Sequence, residues 1–293
     1  MSASFQAELH RELTAAGITG RLRRRILDEF ADHLACDPQA SLGEPRALAR
    51  QFADEVGTTR ALRAALIGFA ALALAGALFA VAFLTAGAAF GAAPKDGPVS
   101  GRIATAGAIL FSQISFVAGT LALLRWAARR RGGLLPGAEA TVIVRRAAVG
   151  VLCGIVTMAS LGTIGVAYES YLPSAWTTYA IVAAAVGIAA LALALPPIWA
   201  AARVRPVAHG GAGDVFDDLG YFSGLVPSPL RGHPWRFAVV VSIAVAAVIT
   251  LAGVPAQDAL DGAARGIADA LLCLAGFATL GRYLGLWGPR EPA

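Results

Sequence analysis

Beyond residue 63 the chain is written in long apolar runs separated by short polar stretches, whereas residues 1–63 mix apolar and charged positions at helical spacing. Crossing a hydrocarbon core of about 30 Å takes roughly 20 apolar residues at about 1.5 Å per residue. Six stretches reach or approach that length: 64–90, 103–126, 147–168, 176–201, 237–254 and 263–286. The last is the least apolar, because Arg265, Asp269 and Arg282 fall within it. The pattern therefore predicts an all-α, polytopic membrane protein of about six transmembrane helices, preceded by a small N-terminal cytosolic helical domain. Its domains are residues 1–60, a three-helix interaction unit, and 61–293, the membrane region, with a long inner loop at 202–235.

Within the first sixty residues, Phe5, Leu9 and Leu13 form a four-residue stripe that Gly17 can stop. A second helix, with Thr19 as its expected N-cap, carries Leu22, Ile26, Phe30 and Leu34 on one side and should end near Pro38. Arg24 with Asp28 and Arg25 with Glu29 are spaced to pair on its wet faces. A third helix starts between Ser41 and Pro45, buries Leu48 and Phe52, and is expected to break at Gly57 before the first span begins. A unit this small has a thin core, so it is expected to rest on the membrane surface, on the inner loops or on another protein.

Composition agrees with lipid: 57% of residues are hydrophobic and 15% charged, against about 25% charged in soluble domains. Twenty-one of the 24 Lys and Arg residues fall on one side of the six-span arrangement, leaving Lys95, Arg102 and Arg265 for the other. Cytoplasmic loops are enriched in these residues, so both termini are expected in the cytoplasm, with the chain a multi-pass protein of the cytoplasmic membrane. All five tryptophans lie at or beside the ends of the apolar stretches, the headgroup level that Trp prefers. The first apolar run begins after about sixty mixed residues, so the first span is expected to direct its own insertion.

Chemistry is sparse. Residues 1–63 hold nine Arg and nine Asp or Glu, a neutral balance that gives no footprint for direct nucleic-acid binding. Cys36, Cys153 and Cys273 imply no disulfide framework. His33 and Cys36 have a spacing that can bring two zinc ligands together but lack further ligands, so no metal or other cofactor is expected. No G-x-S-x-G, H-E-x-x-H or P-loop pattern occurs, and the chain is read as non-enzymatic. The middles of the first five spans hold no ionisable residue, where ion or proton coupling usually needs one. Gln113 and Ser160 are read as helix-to-helix glue, Asp269 as the local partner of Arg265, and Gly150 to Gly154 as a GxxxG spacing that permits internal packing or a homodimer. In the inner loop, Asp214 can cap a short helix with Asp217 at its third position, expected as a reentrant or surface helix lying against the inner interface. Asp214, Asp217 and Asp218 are candidates to pair with Arg129, Arg130, Arg131, Arg145 and Arg146 of the neighbouring inner loop.

The stretch Arg24-Arg25-Ile26-Leu27-Asp28-Glu29-Phe30-Ala31-Asp32-His33-Leu34, then the Leu42-Gly43-Glu44 turn and a helix ending in Phe52-Ala53-Asp54-Glu55, resembles the helix-turn-helix-associated alpha-helical signalling (HAAS) domain. Members of that family precede bacterial membrane segments and are often encoded beside PadR-type transcription regulators. The resemblance covers about sixty of 293 residues and extends to the membrane region through the 214–220 segment. It implies a regulatory role and a cytosolic protein partner such as a transcription regulator, with Glu29, Asp32, His33 and Leu34 the matching positions. A transporter or permease subunit is the competing class, on the strength of six spans.

Overall fold

A computed structural model describes residues 2–37, 42–91, 97–129, 137–204, 229–230, 233–253, 259–281 and 283, and every element among them is a helix. In chain order they are α1 (Ser2–Ala15), α2 (Gly20–Cys36), α3 (Pro45–Gly91), α4 (Val99–Arg129), α5 (Gly137–Ala167), α6 (Ser174–Arg203), α7 (Pro234–Gly253) and α8 (Ala259–Leu280). Four of these, α3 to α6, are long and apolar enough to cross a membrane, and α7 and α8 carry shorter apolar stretches at 235–244 and 266–280.

The N-terminal helices end and begin where their punctuation dictates. Gly17 takes φ +80 after α1, while its N–H donates to Thr14 O at 3.0 Å and that of Ile18 to Leu13 O at 2.9 Å. This is a Schellman ending, completed by the apolar contact of Leu13 with Ile18, both fully buried. Pro45 opens α3, where its missing N–H costs nothing. Leu9, Leu13, Ile18, Ile26, Ala49 and Ala53 close a core, against which Phe30 meets Phe5 at a tilt and Phe52 edge to face, with centroid spacings of 6.3 and 6.0 Å. Two local expectations fail. Thr19 holds the N-cap position with extended backbone but makes no side-chain capping bond, and Arg24 and Asp28 do not pair, whereas Arg25 and Glu29 do at 3.0 Å.

The larger correction concerns Gly57, which does not break the chain. α3 runs unbroken for 47 residues, about 70 Å. Gly57 and Thr58 are buried, and the Thr58 hydroxyl is satisfied within the helix by Asp54 O at 2.7 Å. The absent side chain at 57 lets α5 and α6 close in, leaving a gap of only about 30 Å³ among Ala140, Thr141, Val144 and Ala201. Burial thus outweighs the roughly 1 kcal/mol helix penalty of glycine.

In the bundle, α5 packs tightly along α4 and α6, and α6 along α3, while α3 and α4 meet sparsely. Small residues carry the α4–α5 contact. A Cβ on Gly150 would stand 3.2 Å from Gly119 N, and one on Gly154 3.2 Å from Ser115 Oγ, so the GxxxG spacing is used internally. The Ser115 hydroxyl seals it by donating to Gly150 O at 2.7 Å. Toward the other end, the Tyr168 ring lies across Gly97 and Gly101. Trp176 Nε1 and the Tyr179 hydroxyl donate to Ala82 O and Leu78 O, at 3.1 and 2.9 Å, tying the start of α6 to α3 one turn apart. Buried in this way, Trp176 sits at a helix end yet inside the bundle. α7 and α8 pack mainly on each other, and α8 touches α4, where Cys273 Sγ donates to Gln113 Oε1 at 2.9 Å.

Candidate functional site

The chemistry gathers at one end of the bundle, where α4 and α6 end and α5 begins, and the end of α6 meets the α1–α2 unit. α5 begins about ten residues earlier than its apolar run, so Arg145 and Arg146 lie on a helix and not in a loop. Glu139, Ile143, Arg146 and Gly150 then follow at i, i+4, i+7 and i+11, one face of α5. Ala118, Leu121 and Arg125 present the matching face of α4. Arg125 Nε lies 2.7 Å from Glu139 Oε2 in an ion pair whose side chains are only 2% and 3% exposed. Arg146, fully buried, reaches Leu121 O at 3.4 Å. Glu139 stands in the first turn of α5 and Arg125 near the last turn of α4, the ends at which the helix dipoles favour each charge.

The apolar runs alone do not reveal this buried pair, because Arg125 falls at the end of the 103–126 stretch and Glu139 lies before the 147–168 stretch, where hydropathy assigns a loop. The available signal was the i, i+4, i+7 spacing that continues the apolar face of α5 through its charged residues.

Above this end, the α1–α2 unit is docked by backbone. Gly17 lies directly against the Arg203 carbonyl, so close that a Cβ has no room. Val204, the residue after α6, enters the core of the unit beside Leu9 and Ile18, and Arg60 donates to Ala200 O at 3.3 Å. On α2, Glu29, Asp32, His33 and Cys36 form a stripe at helical spacing and are exposed, while Leu34 is half-buried. Glu29 is engaged by Arg25, and among the described residues no three His, Cys, Asp or Glu side chains gather as metal ligands.

Of the inner-loop candidates, Asp214, Asp217, Asp218, Arg130 and Arg131 lie outside the described residues. Arg145 is exposed and stacks over the Tyr283 ring at 5.3 Å from its centroid. Asp269 is buried on α8, and the Arg265 side chain expected to meet it lies outside the described residues.

Farther along the bundle, the sparse α3–α4 contact leaves a cavity of about 460 Å³. Phe69, Leu72, Phe79, Phe116 and Met158 make it apolar, and Ser112 and Thr157 supply hydroxyls. No family model, curated protein or solved structure matches the chain.

Proposed function

We propose that the chain is a non-enzymatic regulatory protein of the cytoplasmic membrane, with six crossings and both termini in the cytoplasm. Its N-terminal unit binds a cytosolic protein partner, of the transcription-regulator class that the HAAS resemblance implies. The observation that carries this reading is the unbroken α3, whose first turns belong to the core of the α1–α2 unit and whose remainder packs in the bundle. A partner held on the exposed Glu29, Asp32 and His33 stripe would load a rigid rod that enters the lipid. The neutral charge balance of residues 1–63 favours a protein over nucleic acid as that partner.

The test is cross-linking of the full-length protein in native membranes, followed by mass spectrometry of what co-purifies. A transcription regulator captured by the wild type and lost on D32R/H33A substitution supports the reading. Recovery of the same proteins from both would remove it.

Transport is favoured by a different observation, the 460 Å³ cavity midway along α3, α4 and α5. Its lining of aromatic and aliphatic groups with a few hydroxyls suits an apolar solute rather than an ion. Uptake of a lipophilic fluorescent dye by proteoliposomes, abolished by Gly76→Trp, which fills the cavity from a position where a Cβ meets nothing within 4 Å, would favour that reading over regulation.

A further inference from the structure

Several markers of membrane depth meet where the α1–α2 unit docks. Trp199 of α6 is 65% exposed and Arg203 lies over its ring at 6.0 Å, an arrangement suited to the headgroup level. Arg60 and Arg63 stand on α3 just before its apolar stretch, with Arg60 bonded to Ala200 O at 3.3 Å. The contact of Gly17 with the Arg203 carbonyl holds the α1–α2 turn at this same depth. α2 then starts at Gly20, and four of its first six residues are Arg21, Arg23, Arg24 and Arg25. Arg23 donates to Thr14 Oγ1 at 2.8 Å and Arg25 to Glu29. Arg21 and Arg24, three apart on one side of the helix, are exposed.

The charge order on α2 opposes its own dipole. Cations crowd the N-terminal end, which already carries partial positive charge, and Asp28, Glu29 and Asp32 follow toward the C-terminal end. That order works against the helix in isolation, and an anionic surface beside the arginines reverses the balance.

We propose that Arg21, Arg24, Arg60, Arg63 and Arg203 form a surface that binds anionic phospholipid headgroups and seats the α1–α2 unit on the bilayer. Glu55, the nearest exposed acid on α3, lies five residues before Arg60, about 7 Å farther from the apolar boundary. The inference rests on the cytoplasmic placement of this unit, since anionic lipid is richest in that leaflet. It is independent of which protein the unit binds.

Native mass spectrometry of the detergent-solubilised full-length protein, titrated with short-chain phosphatidylglycerol or phosphatidylcholine, tests it without reference to sidedness. The wild type is expected to prefer phosphatidylglycerol by about 25-fold or more, and R21Q/R24Q to lose about 25-fold of that affinity, roughly fivefold per arginine. R21K/R24K should keep the preference, since the charge remains. R46Q/R50Q removes equal charge from the same unit, ten or more residues before Arg60, and should stay within about twofold of wild type because of screening over that distance. Equal affinity for the two lipids, equal loss in R21Q/R24Q and R46Q/R50Q, or loss in R21K/R24K would overturn the proposal. An inverted topology would leave these affinities unchanged and show instead in labelling of intact cells, so the two failures are distinguishable.

Discussion

Arg125 and Glu139 sit nearly without solvent, where each charge depends on the other. Removing one partner of such a pair strands the second, at a cost of about 3–5 kcal/mol, while replacing both by apolar groups is often close to neutral. Thermal unfolding in detergent should therefore show Arg125→Met and Glu139→Met strongly destabilised and R125M/E139M largely restored. If the double variant is as unstable as the worse single one, the pair is not the unit that matters. Gly17 offers a second residue-scale contrast. Gly17 and Gly43 share a left-handed backbone, φ +80 and +79, but a Cβ at 43 meets open space and one at 17 meets the Arg203 carbonyl. Gly43→Ala should cost about 1–2 kcal/mol from backbone strain alone. Gly17→Ala should cost more, and it should also speed proteolytic cleavage between the α1–α2 unit and the bundle.

At the scale of elements, the α4–α5 seam should tolerate nothing larger at Gly150. Gly150→Leu is expected to destabilise the bundle by about 1–3 kcal/mol through overpacking. Gly76→Leu on α3, where a Cβ would meet nothing within 4 Å, should be nearly silent in the same unfolding measurement. Much of this level was legible in the chain. The apolar runs located the helices, and Gly17 and Pro45 marked an end and a start because each acts through its own backbone. What escaped were features that depend on neighbours. Gly57 reads as a breaker until the termini of α5 and α6 bury it. Arg146 reads as a loop cation until Leu121 faces it. Thr19 reads as a cap, yet position alone does not aim its hydroxyl.

For the whole molecule, four helices are long and apolar enough to cross by themselves, and the proposed arrangement requires α7 and α8 to cross as well. The proposed six-crossing arrangement would put the segment between α7 and α8 on the outer face. A single cysteine at Gln257→Cys, in a background lacking Cys36, Cys153 and Cys273, should then react with a membrane-impermeant maleimide added to intact cells. Labelling only after the cells are opened would mean that α7 and α8 re-enter from the inner side. Both arrangements return the chain end to the same face, so a fusion at the C-terminus would not separate them.

Because α3 passes without interruption from the α1–α2 core into the bundle, a single angular phase links the two. One alanine inserted after Thr59 would swing the N-terminal unit by about 100° and raise it about 1.5 Å. That is enough to turn Gly17 away from Arg203 and the arginines of α2 away from the bilayer. Seven alanines would bring the angle back to within about 20°, but the unit would then stand about 10 Å higher. Azimuth and altitude cannot both be recovered by any short insertion, so the spacing between Gly57 and Ala64 works as a fixed gauge.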